Sequence, residues 1–276
     1  APKTPKQSSQ LSFWGRGNQM EIIAITNQKG GVGKSTTSLN LGQGLKKRGY
    51  KVLFIDLDSQ QNLSYTMGAN PNIPTSYELL KEEVGLKGGI QTTVSGDLIA
   101  ASAQLAGSNR DITKTNVLKK SLERENLDYD FVIIDCPPAL SILTINALTT
   151  ANRVIIPAQA DIYSLQAISQ LHNTIESVQR NSNRDLVIAG ILLTRYNNRA
   201  ILSRDLTDLI NKTAQKIQTK VFKSRVREAI AIKESQAMQT DIFTYAPSSK
   251  VAKDYDDFIE ELLVDIDDKG ENNNGK

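Results

Sequence analysis

The stretch EIIAITNQKGGVGKSTTSLNL, residues 21–41, runs from an apolar segment through a glycine-rich loop into a helical pattern. The glycines at 30, 31 and 33 permit a tight turn whose N–H groups point inward, and the following helix adds its positive N-terminal end. In such a loop the Lys34 ammonium reaches the β- and γ-phosphates of a nucleotide, and the Ser35 hydroxyl coordinates Mg²⁺. Because Gly-Lys-Ser here follows a predicted strand and opens a predicted helix, the sequence predicts a phosphate-binding loop.

The rest of the chain alternates short apolar, β-branched runs with segments of helical period. Strands are predicted at residues 21–26, 51–57, 97–101, 131–135, 153–157 and 186–193. Helices are predicted at residues 35–48, 165–180, 203–219 and 249–265. Apolar strands that alternate with helices indicate an α/β fold with a mostly parallel, twisted sheet and helices on both faces. The predicted organisation is a flexible tail at 1–19, one domain at 20–266, and a disordered, acidic and Asn-rich tail at 267–276.

Composition excludes several classes of protein. The longest apolar runs, such as residues 131–134, are far shorter than the roughly 20 residues that span a bilayer. The N-terminal 19 residues lack the apolar core of a secretory signal. A single cysteine, Cys136, rules out disulfide frameworks and thiolate metal sites built by one chain, so a reducing cytoplasm is expected.

Charge is uneven along the chain although the net charge is only +3. Residues 195–233 carry ten Lys and Arg against three acids, whereas residues 254–276 carry nine acids against two lysines. A solvated surface is the ordinary explanation of a charge run. The length of the basic block also allows a polyanionic partner.

Acidic residues lie at or just beyond the ends of two predicted strands. The segment FIDLDSQQN, residues 54–62, contains Asp56 and Asp58, and the apolar run FVIID ends at Asp135. Four apolar residues followed by an aspartate form the Walker B pattern, in which a buried strand delivers a carboxylate to the Mg²⁺ shell. Asp56 is interpreted either as a structural carboxylate or as one that acts behind the residues that contact the metal.

The segment KGGVGKS, residues 29–35, resembles the deviant phosphate loop K-G-G-x-G-K-[ST] of the ParA/MinD family. The resemblance extends from residue 20 to about residue 264. It includes a D-x-D-P-Q segment in which Ser59 replaces proline, and the switch-like stretch DCPPALSILTINAL after the Walker B strand. The family fold is that of P-loop NTPases, and its members form a sandwich dimer around ATP and Mg²⁺.

The resemblance also implies roles for individual residues. The catalytic residues would be Lys29, Lys34 and Asp58, with Lys29 reaching the partner subunit's nucleotide and Asp58 needed for hydrolysis rather than for binding. Nucleotide contacts would come from Lys29, Gly30, Gly31, Val32, Gly33, Lys34, Ser35 and Thr36. Ser35, Asp58 and Asp135 would hold the metal.

The basic half of the chain departs from the family pattern. Where partition ATPases commonly have I-P-R-N-V-R-L-S-E-A, this chain has VREAIAIKES at residues 226–235. The prediction places Arg227 or Glu228 near the edge of the base. Family members bind DNA without sequence preference through basic residues of this half, which implies Lys220, Lys223 and Lys250 here.

The function implied is that of a short ParA/Soj-type ATPase that partitions a plasmid or chromosome. Such a protein would be cytoplasmic and nucleoid-associated, would dimerise with ATP on non-specific double-stranded DNA, and would be released when an adaptor stimulates hydrolysis. The adaptor would be ParB-like or a small centromere-binding protein. A MinD-like, membrane-associated positioning ATPase is the alternative. The strongly acidic C-terminus argues against it, because that class uses a basic amphipathic helix.

Overall fold

The chain is described by a computed structural model that covers residues 20–108, 110–125, 127–197 and 201–273, without the side chains of residues 201–204 and 269–273. The predicted tail at residues 1–19 lies outside the described part. The strands are β1 (Glu21–Ile25), β2 (Val52–Asp56), β3 (Ile90–Thr93), β4 (Gly96–Ile99), β5 (Phe131–Asp135), β6 (Arg153–Ala158), β7 (Val187–Tyr196) and β8 (Val221–Arg227).

Helices fill most of the connections between the strands. They are α1 (Lys34–Lys47), α2 (Asn62–Thr66), α3 (Ser76–Leu80), α4 (Leu86–Gly89), α5 (Val117–Arg124), α6 (Ile142–Thr150), α7 (Ile162–Asn181), α8 (Ile201–Lys216), α9 (Ile230–Ala237), α10 (Ile242–Tyr245) and α11 (Lys250–Asn273). A short 3₁₀ helix occupies Ala103–Gly107.

The strands form one sheet in the order β3-β4-β2-β5-β1-β6-β7-β8. Every neighbouring pair is parallel except β3 and β4, which are antiparallel. Because β1 lies inside the sheet between β5 and β6, the loop that follows it opens at the carboxyl edge among the ends of neighbouring strands. This is the place where open α/β sheets bind ligands.

Successive side chains of each central strand enter two different cores. In β1, Ile22 and Ala24 join the core on one face, and Ile23 and Ile25 join the core on the other. Helices α5, α6 and α7 contribute to the first core, whereas α1 and α11 contribute to the second. Strands buried on both faces explain the continuous apolar runs, and the predicted fold is confirmed.

Helix α1 packs closely against β2. A Cβ atom at Gly42 would stand 2.2 Å from the ring of Phe54, and one at Gly44 would stand 2.2 Å from Ile259 of α11. These two glycines therefore allow the helix that follows the phosphate loop to pack directly against the sheet on one side and α11 on the other.

Some elements differ from the sequence-based prediction. Strands β3 and β8 were not predicted, because β3 is polar and β8 alternates charged with apolar residues. Both are edge strands, and edge strands need not be apolar on both faces. The predicted final helix ended at residue 265, but α11 continues to Asn273, so a helical backbone enters the tail predicted at 267–276.

Candidate active site

The phosphate loop connects β1 to α1. Gly31 and Gly33 have φ values of 73° and 83°, in the left-handed region that glycine adopts without a steric cost. The Thr194 hydroxyl of β7 donates a hydrogen bond of 2.8 Å to the Val32 carbonyl and so ties the loop to the sheet. The N-terminus of α1 then begins at Lys34, which gives the loop the geometry of an anion cradle.

Lys34 is 7% exposed and lies under the loop, where its Nζ donates to the Lys29 carbonyl at 3.3 Å. Burial lowers the pKa of the Lys34 ammonium, and the nearby carboxylates of Asp135 and Asp58 only partly oppose the shift. A cation held between two carboxylates and a cradle of N–H groups is arranged to receive a polyphosphate.

Asp135 ends β5 and is completely buried. Its Oδ1 accepts a hydrogen bond of 3.0 Å from the Ser38 hydroxyl, while Oδ2 has no hydrogen-bond partner among the described residues. Burial raises the pKa of Asp135 to about 8, and the charge of Asp56 adds to the effect, although Ser35 and Ser38 oppose it. An unpaired buried carboxylate oxygen is costly, so it fits a position facing the hydration shell of a cation.

Asp56 and Asp58 have different surroundings after β2. Asp56 Oδ2 accepts hydrogen bonds from the Ser64 amide at 2.9 Å and the Ser64 hydroxyl at 2.7 Å, and its Oδ1 accepts from the Asp58 amide at 3.0 Å. Burial nevertheless raises the pKa of Asp56 to about 6. These bonds agree with a structural role for Asp56. Asp58 Oδ1 accepts a local hydrogen bond from the Gln60 amide, at 3.0 Å, and no other bond to it is found among the described residues.

Lys29 is engaged within its own subunit. Its ammonium forms an ion pair with Asp161 and donates to Gln159 Oε1 at 3.4 Å. Gln159 in turn donates from Nε2 to the Gly31 carbonyl at 3.2 Å. Partial burial raises the pKa of Asp161, but the Lys29 ammonium and the Ser164 amide outweigh it, and the net shift is downward.

Sequence reasoning missed Asp161 and Gln159. The one available signal was that Asp161 precedes a predicted helix, as N-cap residues do. Asp161 indeed caps α7, since its Oδ1 accepts a hydrogen bond of 2.9 Å from the Ser164 amide. The second role of this carboxylate, toward a lysine 132 residues earlier, depends on the packing of β6 beside β1.

Helix α9, which follows the two residues predicted to contact the base, lies next to the start of α1. Gln236 of α9 donates from Nε2 to the Thr36 hydroxyl at 2.8 Å. Arg227 forms two side-chain bonds to Asp254, at 2.6 and 2.7 Å, and Glu228 pairs with Arg195 at 2.6 Å. The structure thus brings α9 to the loop through Gln236, whereas Arg227 and Glu228 are held by ion pairs, and their contact with a base stays a prediction.

The predicted DNA-binding lysines are not gathered together. Lys220 pairs with Asp265, and its Nζ is 3.9 Å from Glu261, so acids of α11 compensate its charge. Lys223 and Lys250 are exposed. Because α11 places residues 250 and 265 fifteen positions apart, Lys220 lies roughly 22 Å along that helix from Lys250.

A polar cavity of about 800 Å³ opens beside β8 at its carboxyl end. Its lining includes Lys223, Arg225, Arg227 and Glu228, so one predicted DNA residue and both predicted base contacts share it. The Arg225 guanidinium lies 4.5 Å from the centre of the Tyr196 ring and donates to its hydroxyl at 2.6 Å. The lining also includes the acids Glu228, Asp254 and Asp257, so the three cations and three acids of the cavity largely compensate one another.

Comparisons with known proteins agree with this site. The sequence model of the AAA_31 family, described as an AAA domain, matches residues 20–188. The chain is 39% identical to the sporulation initiation inhibitor protein Soj of Bacillus subtilis, with 88% of this chain and 98% of that protein covered. It is 33% identical to the chromosome-partitioning ATPase Soj of Treponema pallidum, with 88% and 97% covered.

A solved structure shows the same fold with ligands. The structure named cobyrinic acid a,c-diamide synthase from Mycobacterium smegmatis, with a bound ATP analogue and magnesium, superimposes with a TM-score of 0.76. It is 32% identical, with 89% of this chain and 95% of that chain covered. The fold and site define a P-loop ATPase whose cofactors are ATP and Mg²⁺. This chain belongs to the ParA/Soj family of these ATPases.

Proposed function

We propose that this ATPase partitions DNA, moving a plasmid, a chromosome or a comparable cargo over the nucleoid in the cytoplasm. The observation that carries the proposal is the phosphate loop with its additional lysine, Lys29, in a chain that matches Soj proteins over 97–98% of their length. One of those relatives is named for chromosome partitioning.

In this proposal ATP assembles a homodimer. Lys34 binds the β- and γ-phosphates, the loop residues 29–36 cradle them, and Asp58 orients the attacking water. Ser35 and Asp135 would hold Mg²⁺, which neutralises phosphate charge when bound. Lys29 leaves its own subunit's Asp161 and contacts the partner subunit's nucleotide, so dimerisation depends on ATP.

The dimer then binds DNA, because two copies of a basic surface act on one duplex and the second contact is intramolecular. A ParB-like protein or a small centromere-binding adaptor stimulates hydrolysis and releases the ATPase locally. Since Lys220 is compensated by Asp265, we assign the larger share of phosphate contacts to Lys223 and Lys250.

A MinD-like role at a membrane surface is less well supported. The apolar side of α11 is buried in the core through Tyr255, Phe258 and Leu262, and its exposed side carries Asp257 and Glu260. An acidic outer face is repelled by anionic lipid. None of the helices in the described ranges is long and apolar enough to cross a bilayer.

A synthase role, which the name of the Mycobacterium smegmatis protein would suggest, is also less favoured. The Soj protein of Bacillus subtilis is more similar in sequence, at 39% against 32% identity, over a comparable share of this chain, 88% against 89%. DNA binding separates the two roles, because a biosynthetic synthase has no need of an ATP-dependent affinity for DNA.

The test is a titration of random-sequence duplex DNA with ATP and Mg²⁺ at two salt concentrations. The Lys220/Lys223/Lys250→Glu variant should lose at least about tenfold in affinity and show a shallower salt dependence, since each lost phosphate contact changes the log–log slope by about 0.9. Lys220→Glu alone should lose less than Lys223→Glu.

Lys120→Glu on α5 is the charge-matched control for the single variants, because Lys120 is exposed and lies outside the basic half. It should bind DNA like the parent protein. Light scattering must show that each variant still dimerises with ATP. If the parent does not bind DNA with ATP, the partition role is wrong; if the triple variant binds like the parent, the assigned surface is wrong.

A further inference from the structure

A groove of about 750 Å³ lies at the amino edge of the sheet, opposite the phosphate loop. The register of the strands fixes its position: Glu21 of β1 is level with Phe131, which is level with Val52. Gly96 of β4 lies at the same level as Val52, since the next residues of the two strands, Asp97 and Leu53, are paired. The groove is bordered by the end of α1, the start of β2, the β3–β4 hairpin and the segment before β5.

The lining of the groove combines apolar and aromatic groups with five charged side chains, those of Lys46, Lys51, Lys87, Asp97 and Asp128. Tyr50 and Val52 are buried at its base, and Leu127 and Tyr129 are half-buried along one side. Val94, at the tip of the hairpin, is fully exposed. A β-branched residue is an unusual choice for a turn, where Gly, Asn and Asp prevail.

The chain enters the described fold beside this groove. Met20 immediately precedes Glu21, which is two strands away from Val52 and three from Gly96. At about 4.8 Å between strands, these separations are roughly 10 and 14 Å. Residues 1–19 contain three large apolar side chains, Leu11, Phe13 and Trp14. Five residues separate Trp14 from Met20, so the six residue-to-residue steps between them can span about 20 Å when extended.

We propose that the segment LSFW, residues 11–14 of this same chain, occupies the groove. The groove volume falls within the ~300–1,000 Å³ of pockets that enclose organic ligands, so it can accommodate aromatic side chains. A tethered segment has an effective concentration of the order of millimolar, which favours it over a separate molecule. Because the groove and the phosphates lie at opposite edges of the sheet, occupancy is independent of ATP.

Trp14 is the chain's single tryptophan, so its fluorescence reports on this segment directly. A nitroxide attached to Val94→Cys should strongly quench that emission, because contact quenching needs close approach. The native thiol, Cys136, is completely buried and does not compete for the label. The matched control is Val264→Cys, an exposed valine on α11 beside β8, six strand spacings or roughly 29 Å from β4.

The expected result is quenching at position 94 that exceeds quenching at position 264 at least fivefold, with and without ATP. Val94→Asp, an exposed change that the fold should tolerate, should shift the Trp14 emission to the red and raise its quenching by acrylamide. Three results would overturn the proposal. They are equal quenching at both positions, quenching that grows with protein concentration and so indicates a second copy, and Trp14 emission that matches a free peptide of residues 1–19.

Discussion

Replacing Asp161 with asparagine tests what holds Lys29 inside its own subunit. The carboxylate of Asp161 pairs with the Lys29 ammonium and also caps α7 by accepting from the Ser164 amide at 2.9 Å. Asparagine keeps a side-chain oxygen for the cap, and it is among the best N-cap residues. Asp161→Asn therefore removes the charge that binds Lys29 while it leaves the helix terminus satisfied.

The size of the effect follows from exposure. The side chains of Lys29 and Asp161 are 24% and 30% exposed, so solvent partly screens the pair. Pairs of this kind contribute about 0.2–1 kcal/mol, and the upper half of that range applies to a partly buried pair. If Lys29 must leave Asp161 in both subunits, dimerisation loses about 1–2 kcal/mol. Removing the pair should thus lower the dimer dissociation constant with ATP by roughly 5- to 30-fold.

The assay is a concentration series of sedimentation or light scattering with ATP and Mg²⁺, in an Asp58→Ala background that blocks hydrolysis. The control is Glu176→Gln, which breaks an exposed pair with Arg180 on the same helix, α7, and should leave dimerisation unchanged. The pKa of Asp161 is already below its ordinary value, so its carboxylate is ionised throughout the neutral range. The difference between parent and variant should therefore not vary with pH between about 6 and 8.

An Asp161→Asn variant that dimerises like the parent would show that releasing Lys29 costs nothing measurable. A weaker dimer would refute the reasoning more directly, because Asp161 would then support the ATP-bound state instead of competing with it. ATP affinity of the monomer, measured separately, should be the same in both proteins, since Asp161 is not among the residues placed at the phosphates.

Two further changes test the site and its scaffold. Lys34→Ala should abolish ATP binding in a nucleotide titration. Asp58→Ala should bind ATP with near-parent affinity but hydrolyse it at least about 100-fold more slowly. Equal ATP affinity of Lys34→Ala and the parent would contradict the assignment of the phosphate loop. Gly42→Ala should lower the free energy of unfolding by about 1–3 kcal/mol in a denaturant titration, because its Cβ would meet the Phe54 ring at 2.2 Å. Gly88→Ala, where the nearest atom is 3.7 Å away, is the matched control and should change stability by less than about 0.5 kcal/mol.

The amino-acid sequence alone was sufficient for the features that depend on consecutive residues. The phosphate loop needs only a strand, glycines at set positions and a helix N-terminus, all of which lie within residues 21–47. The central strands were predicted because burial on both faces requires an unbroken apolar run, as in β5. Local backbone geometry and local hydrophobicity carry this information, so no distant contact was needed to find them.

Only the tertiary structure decided which charged side chains are paired within the fold and which can contact a ligand. The acidic C-terminal run and the basic run before it looked like two separate surfaces, yet α11 lies along β8, where Asp254 binds Arg227 and Asp265 binds Lys220. The same holds for Lys29, whose partner is 132 residues away. An ion pair depends on the distance between two side chains across packed elements. That distance is set by the sheet order and the direction of α11, which the spacing of residues along the chain does not specify.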